Sequence, residues 1–231
     1  MHTFKVVSAD VSTIQLDIEN VVVHAVLDAD SGKALRFRVD EWPWITDESN
    51  QVLTIYLVQE YKLDSLLRIK IEYHTKPEGL GLNWLNENQT DTHQPFFYTD
   101  CQSYYCRSVA PLQDTPAIKA PFTAKIRVPR PLIALSSGVP VGQRIVDDMV
   151  EFEFNQTNPV PSYLIAILAG VLERRQIDHR TYVYAEPSMI NTSAEVLSDI
   201  GEFMNIVYNI PLIRRLKVTL FRISGNITAS W

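Results

Sequence analysis

The chain has 231 residues, 46% hydrophobic and 21% charged, an ordinary globular composition with enough apolar material for a sizeable core. A formal net charge of −6 and scattered basic residues argue against nucleic acid, which needs clustered Lys and Arg; the densest group, Arg214, Arg215 and Lys217, is too small. No apolar run approaches the ~20 residues of a membrane span, and Met1 to Asp10 holds no signal-peptide run, so a soluble, cytoplasmic setting with no membrane partner is expected.

The first three quarters of the chain read as strands. Ile14, Leu16 and Ile18 alternate with Gln15 and Asp17, the period-two mark of a half-buried strand. Leu35, Phe37 and Val39 alternate with Arg36 and Arg38, and Val52 to Val58 is a β-rich apolar run. Leu67, Ile69, Ile71 and Tyr73 alternate with Arg68, Lys70, Glu72 and His74. Phe122, Ala124, Ile126 and Val128 do the same, as do Val150, Phe152 and Phe154. Turn residues separate the runs: Asp30-Ser31-Gly32, Pro77-Glu78-Gly79, Pro129-Arg130-Pro131 and Asn158-Pro159. Short alternating strands at this spacing predict an antiparallel sandwich or saddle. Near residue 187 the period changes. Val196, Ile200, Phe203 and Val207 recur at helical spacing, which predicts one amphipathic helix over 193–208, capped by Ser193, with Phe203 and Met204 on its buried stripe. Leu212 to Trp231 shows no clear period.

A metal site needs His, Cys, Asp or Glu brought together, usually with two ligands at close spacing. The histidines are His2, His24, His74, His93 and His179, and no two lie within five residues. There is no H-E-x-x-H, no metal ligand set is expected, and His24 and His74 read as solvated or edge histidines. Cys101 and Cys106 lack the second pair of a zinc knuckle, and two thiols make no disulfide scaffold. Cys106 reads as a buried structural cysteine, with Arg107 its only close charge. Gly201 to Asn205 superficially resembles a G-x-M-E-N strand, but the order is wrong. No G-x-S-x-G and no phosphate loop occur, so no catalytic residue is assigned.

The segment from Gly81 to Lys119 differs in character. Trp84, Phe96, Phe97, Tyr98, Tyr104 and Tyr105 stand among polar residues with little alternation. Asp114 before Thr115-Pro116 is good turn chemistry, and Arg107 can pair with Asp114 across such a turn. The residues leave two readings open: a loop between sheets ordered by aromatic burial, or a ligand-facing loop.

The same segment carries a family resemblance. Gly81-Leu82-Asn83-Trp84-Leu85 with Gln89-Thr90 resembles a G-L-x-W-L-x-x-x-Q-T stretch of zinc aminopeptidases (gluzincins) of the leukotriene A-4 hydrolase type. Cys101 to Arg107 resembles the family's C-Q-A-x-x-C-R segment, and Pro111 to Lys119 its P-C-Q-D-T-P-x-x-K run. Phe122-Thr123-Ala124, Val128-Pro129, Pro161 to Ala166 and Gly170 to Ile177 follow in the same register, so matched blocks run in order over about 100 residues.

The resemblance implies a mainly β fold: an antiparallel β-saddle or sandwich N-terminal domain over residues 1–172, then a short fragment of a thermolysin-like α/β catalytic domain over 173–231. It implies that the parent enzyme uses zinc to remove N-terminal residues from peptides, so that a peptide is the partner. By motif match Gln102 would hold the substrate's N-terminal end, from a loop with its amide towards solvent. Ser103, where the family often has Ala, would flank the first side-chain pocket together with Tyr104. The chain is expected to begin inside the family's domain and to stop before any zinc ligand. Its tail, Ile223 to Trp231, resembles the W-S-G-N-L-V-T-x-x-x-W stretch that follows H-E-x-x-H, as though an internal segment were deleted. The chain alone is therefore expected to lack zinc and activity. The alternative is a non-catalytic peptide- or protein-binding β module.

Overall fold

The alternating runs become strands with one apolar face, and turn chemistry fixes where each stops. The computed structural model describes residues 1–8, 10–41, 50–179, 181–208, 219–223 and 226–230. It divides into two units. The first comprises Met1–Leu82 and Asp100–Ile118, the second Asn83–Thr99 and Lys119–Trp231.

In the first unit, β1 (His2–Lys5), β2 (Val11–Glu19), β3 (Val21–Asp28), β4 (Phe37–Glu41), β5 (Asn50–Tyr61) and β6 (Leu66–Thr75) form two antiparallel sheets. Their orders are β1-β6-β3 and β2-β5-β4. Ile14, Leu16 and Ile18 of β2 and Leu53 and Ile55 of β5 share one core with Val21 and Val26 of β3 and Leu67, Ile69 and Ile71 of β6. This is the sandwich expected from the period-two runs, with each sheet turning one face inward. Asn20 links β2 to β3 at φ 51°, a left-handed conformation that Asn tolerates well. After β3, the Asp28 carboxylate accepts bonds from the Ser31 and Asp30 amides and the Ser31 hydroxyl, and Gly32 adopts φ 70°. Those bonds, led by the Ser31 amide, hold the Asp28 carboxyl below its ordinary value.

The second unit opens with β7 (Leu82–Leu85) and β8 (Phe96–Thr99). β9 (Lys119–Pro129), β10 (Ile133–Ser136), β11 (Val139–Val146), β12 (Met149–Pro161) and β13 (Ile167–Gly170) follow. They build sheets ordered β10-β13-β8-β7 and β11-β12-β9. Glu151 in the middle strand β12 stands directly opposite Arg144 of β11 and Arg127 of β9 and is bonded by both. The two guanidinium groups, Arg127 first, keep its carboxyl ionised below the usual range. At the end of β13, Gly170 lies where a Cβ would collide with the Phe96 ring, so glycine lets the backbone pass over the buried aromatic.

The last part has α/β character. β14 (Glu173–Gln176), β15 (Tyr182–Ala185), β16 (Thr219–Ile223) and β17 (Asn226–Ser230) form one sheet, with β15 and β16 parallel. Strands thus stand in the tail where the sequence shows no period. Two short helices, α1 (Ile190–Val196) and α2 (Ile200–Tyr208), replace the single helix expected over 193–208. Ile190 and Leu197 face the core with Val183 and Ala185. Val196 and Phe203 are 56% and 63% exposed, so they leave the buried stripe read from the sequence, whereas Ile200 of that stripe packs against the core. The side chains of Met204 and Val207 lie outside the described residues. Ser193 does not cap the helix. It lies inside α1, fully buried, and its hydroxyl has no hydrogen-bond partner among the described residues.

Candidate functional site

The matched segment 101–107 is a turn with a buried base and an exposed crown. Cys101, Cys106, Arg107 and Ser108 are buried, whereas Gln102, Ser103 and Tyr104 are exposed and Tyr105 is half-buried. The Tyr105 amide donates to the Cys101 carbonyl at 3.1 Å, and the Val109 and Ala110 amides donate to the Cys106 carbonyl at 2.9 and 3.0 Å. A single 3-10 turn, Cys106–Ser108, follows. The Gly81 amide donates to Ser108 Oγ at 2.9 Å, and that hydroxyl donates to the Tyr105 carbonyl at 2.7 Å. A Cβ at Gly81 would meet the Tyr105 carbonyl oxygen at 2.5 Å, so this backbone crossing requires glycine.

Below the crown lies an ion-pair cluster. Arg107 donates from its amide at 3.1 Å and from Nε at 3.2 Å to Asp114 Oδ2. Its Nη1 reaches Asn50 Oδ1 at 3.4 Å and lies 3.9 Å from Asp17 Oδ1. Asp17 Oδ2 accepts from the Asp114 amide at 2.9 Å. The pairing of Arg107 with Asp114 expected across the turn is present, and Asp17 and Asn50 extend it. The guanidinium carbon sits 5.7 Å from the centre of the Tyr104 ring, and Tyr104 packs on Tyr105 with ring centres 4.9 Å apart. A hydrogen bond to Tyr104, then the electrostatic influence of that same side chain, push the Tyr105 hydroxyl above its ordinary value.

The sequence-predicted residues occupy this crown. Gln102, Ser103 and Tyr104 are consecutive and exposed, Tyr104 by 51%. The Gln102 amide N–H donates to Asp100 Oδ1 at 3.3 Å, and the Gln102–Ser103 peptide bond is cis. Cys106 is buried as expected, but it is disulfide-bonded to Cys101 rather than standing apart. The separation of five residues suits this bond once the turn folds the chain back, with the Cα atoms 4.4 Å apart. The fold also joins His24 and His74 through their ring nitrogens at 2.7 Å. Fifty residues part them in the chain, and only the register of β3 on β6 brings them together.

A mainly antiparallel β unit thus presents the exposed Gln102-Ser103-Tyr104 turn on a buried Arg107–Asp114 pair. The sequence profile of the Peptidase M1 N-terminal domain matches residues 2–164, and the chain belongs to that family. Leukotriene A-4 hydrolase of Xenopus laevis is 35% identical over 129 residues, covering 54% of this chain and 21% of the frog protein. Leucine aminopeptidase 2 of Coccidioides immitis is 35% identical over 164 residues, covering 68% of this chain and 26% of the fungal protein. The chain therefore spans about a quarter of the length of these curated relatives.

Among solved structures, native leukotriene A4 hydrolase from Saccharomyces cerevisiae superposes with a TM-score of 0.71 at 26% identity, covering 87% of this chain and 30% of that one. An M1 zinc metallopeptidase from Deinococcus radiodurans shares the fold, with a TM-score of 0.61 at 22% identity, covering 78% of this chain and 41% of that one. A mutant of that enzyme was solved with a bound Tyr-Ser-Ala substrate. Among the described residues of the present chain, no group of three or more His, Cys, Asp or Glu is placed to hold a metal ion.

Proposed function

We propose that this chain is the N-terminal module of a zinc aminopeptidase, that it lends a substrate-binding side chain to the site, and that it does not hydrolyse peptides on its own. The observation that carries the reading is the exposed Gln102-Ser103-Tyr104 crown held on the buried Arg107–Asp114 pair. A side-chain amide both donates and accepts, so Gln102 can meet a peptide's terminal amine and the neighbouring carbonyl. Ser103 and Tyr104 would flank the first side chain of the peptide. Residues 1–172 would form this module and 173–231 the start of a catalytic domain. A cytoplasmic setting belongs to the same proposal.

The test joins this chain to a catalytic domain from a relative that carries H-E-x-x-H and G-x-M-E-N. Aminopeptidase turnover should appear only in the joined protein. Gln102→Ala should then lower kcat/KM by roughly tenfold or more, the cost of a hydrogen bond to a charged group. Restored activity that Gln102→Ala leaves unchanged would remove Gln102 from the substrate site. The second reading, a non-catalytic peptide-binding module, draws on the exposed Tyr104 ring. It requires that short peptides shift the Gln102 and Tyr104 resonances of the isolated chain on titration.

A further inference from the structure

β3 and β6 pair antiparallel, with Val22 opposite His74, Val23 opposite Tyr73 and Ala25 opposite Glu72. His24 is the extra residue of this β-bulge, a device that re-aims a side chain. Here it turns His24 to the outer face of the sheet, beside His74. Both rings are exposed, their centres are 4.8 Å apart, and their planes meet at 28°. His24 Nε2 lies 2.7 Å from His74 Nδ1. A hydrogen bond between two exposed side chains contributes little to stability, so packing alone gives no reason for so close an approach.

The spacing has a chemical reading. Two imidazole nitrogens, each about 2.0–2.1 Å from one ion, stand about 2.9 Å apart at a right-angle bite and about 3.3 Å apart in a tetrahedron. The observed 2.7 Å is nearer the first. Right-angle, tetragonal sites suit Cu(II) and Ni(II) rather than Zn(II), and Cu(II) binds imidazole more tightly than its neighbours in the series. We propose that His24 and His74 form a two-imidazole surface site for Cu(II), with water in the remaining positions.

Binding asks little of the fold. On binding, the proton shared in the Nε2–Nδ1 hydrogen bond moves to the outer nitrogen of its own ring, so that each neutral imidazole carries its one proton on His24 Nδ1 or His74 Nε2 and both facing nitrogens donate lone pairs. The rings then separate by a few tenths of an ångström. Glu72 lies on the same face, two residues from His74, and its carboxylate is bonded by Lys70 at 2.5 Å. It places negative charge beside the ion without serving as a ligand. The site therefore adds to the sequence reading, which found no pair of histidines at ligand spacing.

The test uses the full chain carrying His2→Ala, because the amino terminus and His2 together form a rival copper chelate. Cu(II) is titrated against a competing chelator and the complex is read by electron paramagnetic resonance. The expected result is one tight equivalent with a tetragonal spectrum and hyperfine structure from two nitrogens. His24→Gln and His74→Gln should each weaken binding tenfold or more, and the double variant should lose little beyond either single one. Both positions are exposed, so thermal melts should be unchanged, which separates loss of the site from loss of the fold. As a measurement free of substitutions at the site, a trace of Cu(II) should broaden the His24 and His74 ring signals before those of His93 and His179. Undiminished affinity in both single variants, or first broadening at His93 or His179, would overturn the proposal.

Discussion

Replacing Asp114 by alanine tests whether the crown of the candidate site is set by the charge cluster beneath it. The Asp114 side chain is fully buried and that of Arg107 is 11% exposed. Breaking a buried pair by removing one partner costs about 3–5 kcal/mol, because the other charge stays buried without compensation. Two donors lose their acceptor here, the Arg107 amide and its Nε. The guanidinium is not wholly orphaned, since Asn50 Oδ1, the Asp114 carbonyl and Asp17 Oδ1 remain at 3.4, 3.4 and 3.9 Å. That residual support sets the expected loss at the lower end, about 3 kcal/mol, or a fall in Tm of roughly 6–12 °C for a domain of this size. The assay is urea and thermal unfolding followed by circular dichroism, with Lys5→Ala as control. Lys5 pairs with Asp64 at 2.8 Å, but both side chains are more than half exposed, so its loss should cost less than about 1 kcal/mol. Adding Arg107→Met to Asp114→Ala should cost less than the sum of the two single changes, because the stranded charge is gone. If Asp114→Ala cost no more than Lys5→Ala, the buried pair would not be what anchors the turn.

Two further outcomes concern buried polar groups in the second unit. Ser193→Ala removes a buried hydroxyl with no partner among the described residues and should raise the unfolding free energy by roughly 1 kcal/mol in the same unfolding assay. Glu186 is buried; burial first, and then the bond with Asp91, push its carboxyl above the ordinary glutamate value. A raised folded-state value makes an acid's contribution fullest at low pH and lost as pH climbs from the unfolded value of 4.5 through the folded one. Glu186→Gln should therefore gain stability relative to the unmodified chain at pH 8 and gain none at pH 4. Equal differences at both pH values would show that Glu186 folds in its ionised form.

Where burial is one-sided, the sequence made the fold readable. β2, β6 and β9 alternate because each has one covered and one wet face, and those runs, with the alternating run of β12, are the strands found. β11 escaped the reading because every residue from Val139 to Ile145 is exposed, leaving no apolar face to set a period. The helical stripe was read one residue off. Its core side is Ile190, Ser193 and Leu197, and a polar serine at the centre of that face hides it from any apolar count. Val196, one position away and exposed, instead falls into line by count with Ile200, which does pack on the core, and with exposed Phe203. The Arg107–Asp114 pair was legible because seven residues and a turn join the partners. His24 and His74 were not, since their meeting depends on a strand register that includes a bulge.

The same contrast explains why the proposed binding residues were found in the sequence and the base that holds them only in part. A side chain lent to a substrate needs a fixed backbone and a free head, which puts opposite demands on neighbouring positions. In the turn 101–108 those demands fall on different residues. Cys101, Cys106, Arg107 and Ser108 are buried and tied by amides, carbonyls and charge, while Gln102, Ser103 and Tyr104 project from them. Tyr104 joins the two tiers, because its ring lies over the Arg107 guanidinium that Asp114 holds. Loss of Asp114 should therefore reach the crown through Tyr104 before it reaches the sandwich core. The Tyr104 and Gln102 signals should shift in Asp114→Ala under conditions where those of Leu53 and Ile69 do not. Simultaneous change at all four would mean that the crown has no support separate from the core.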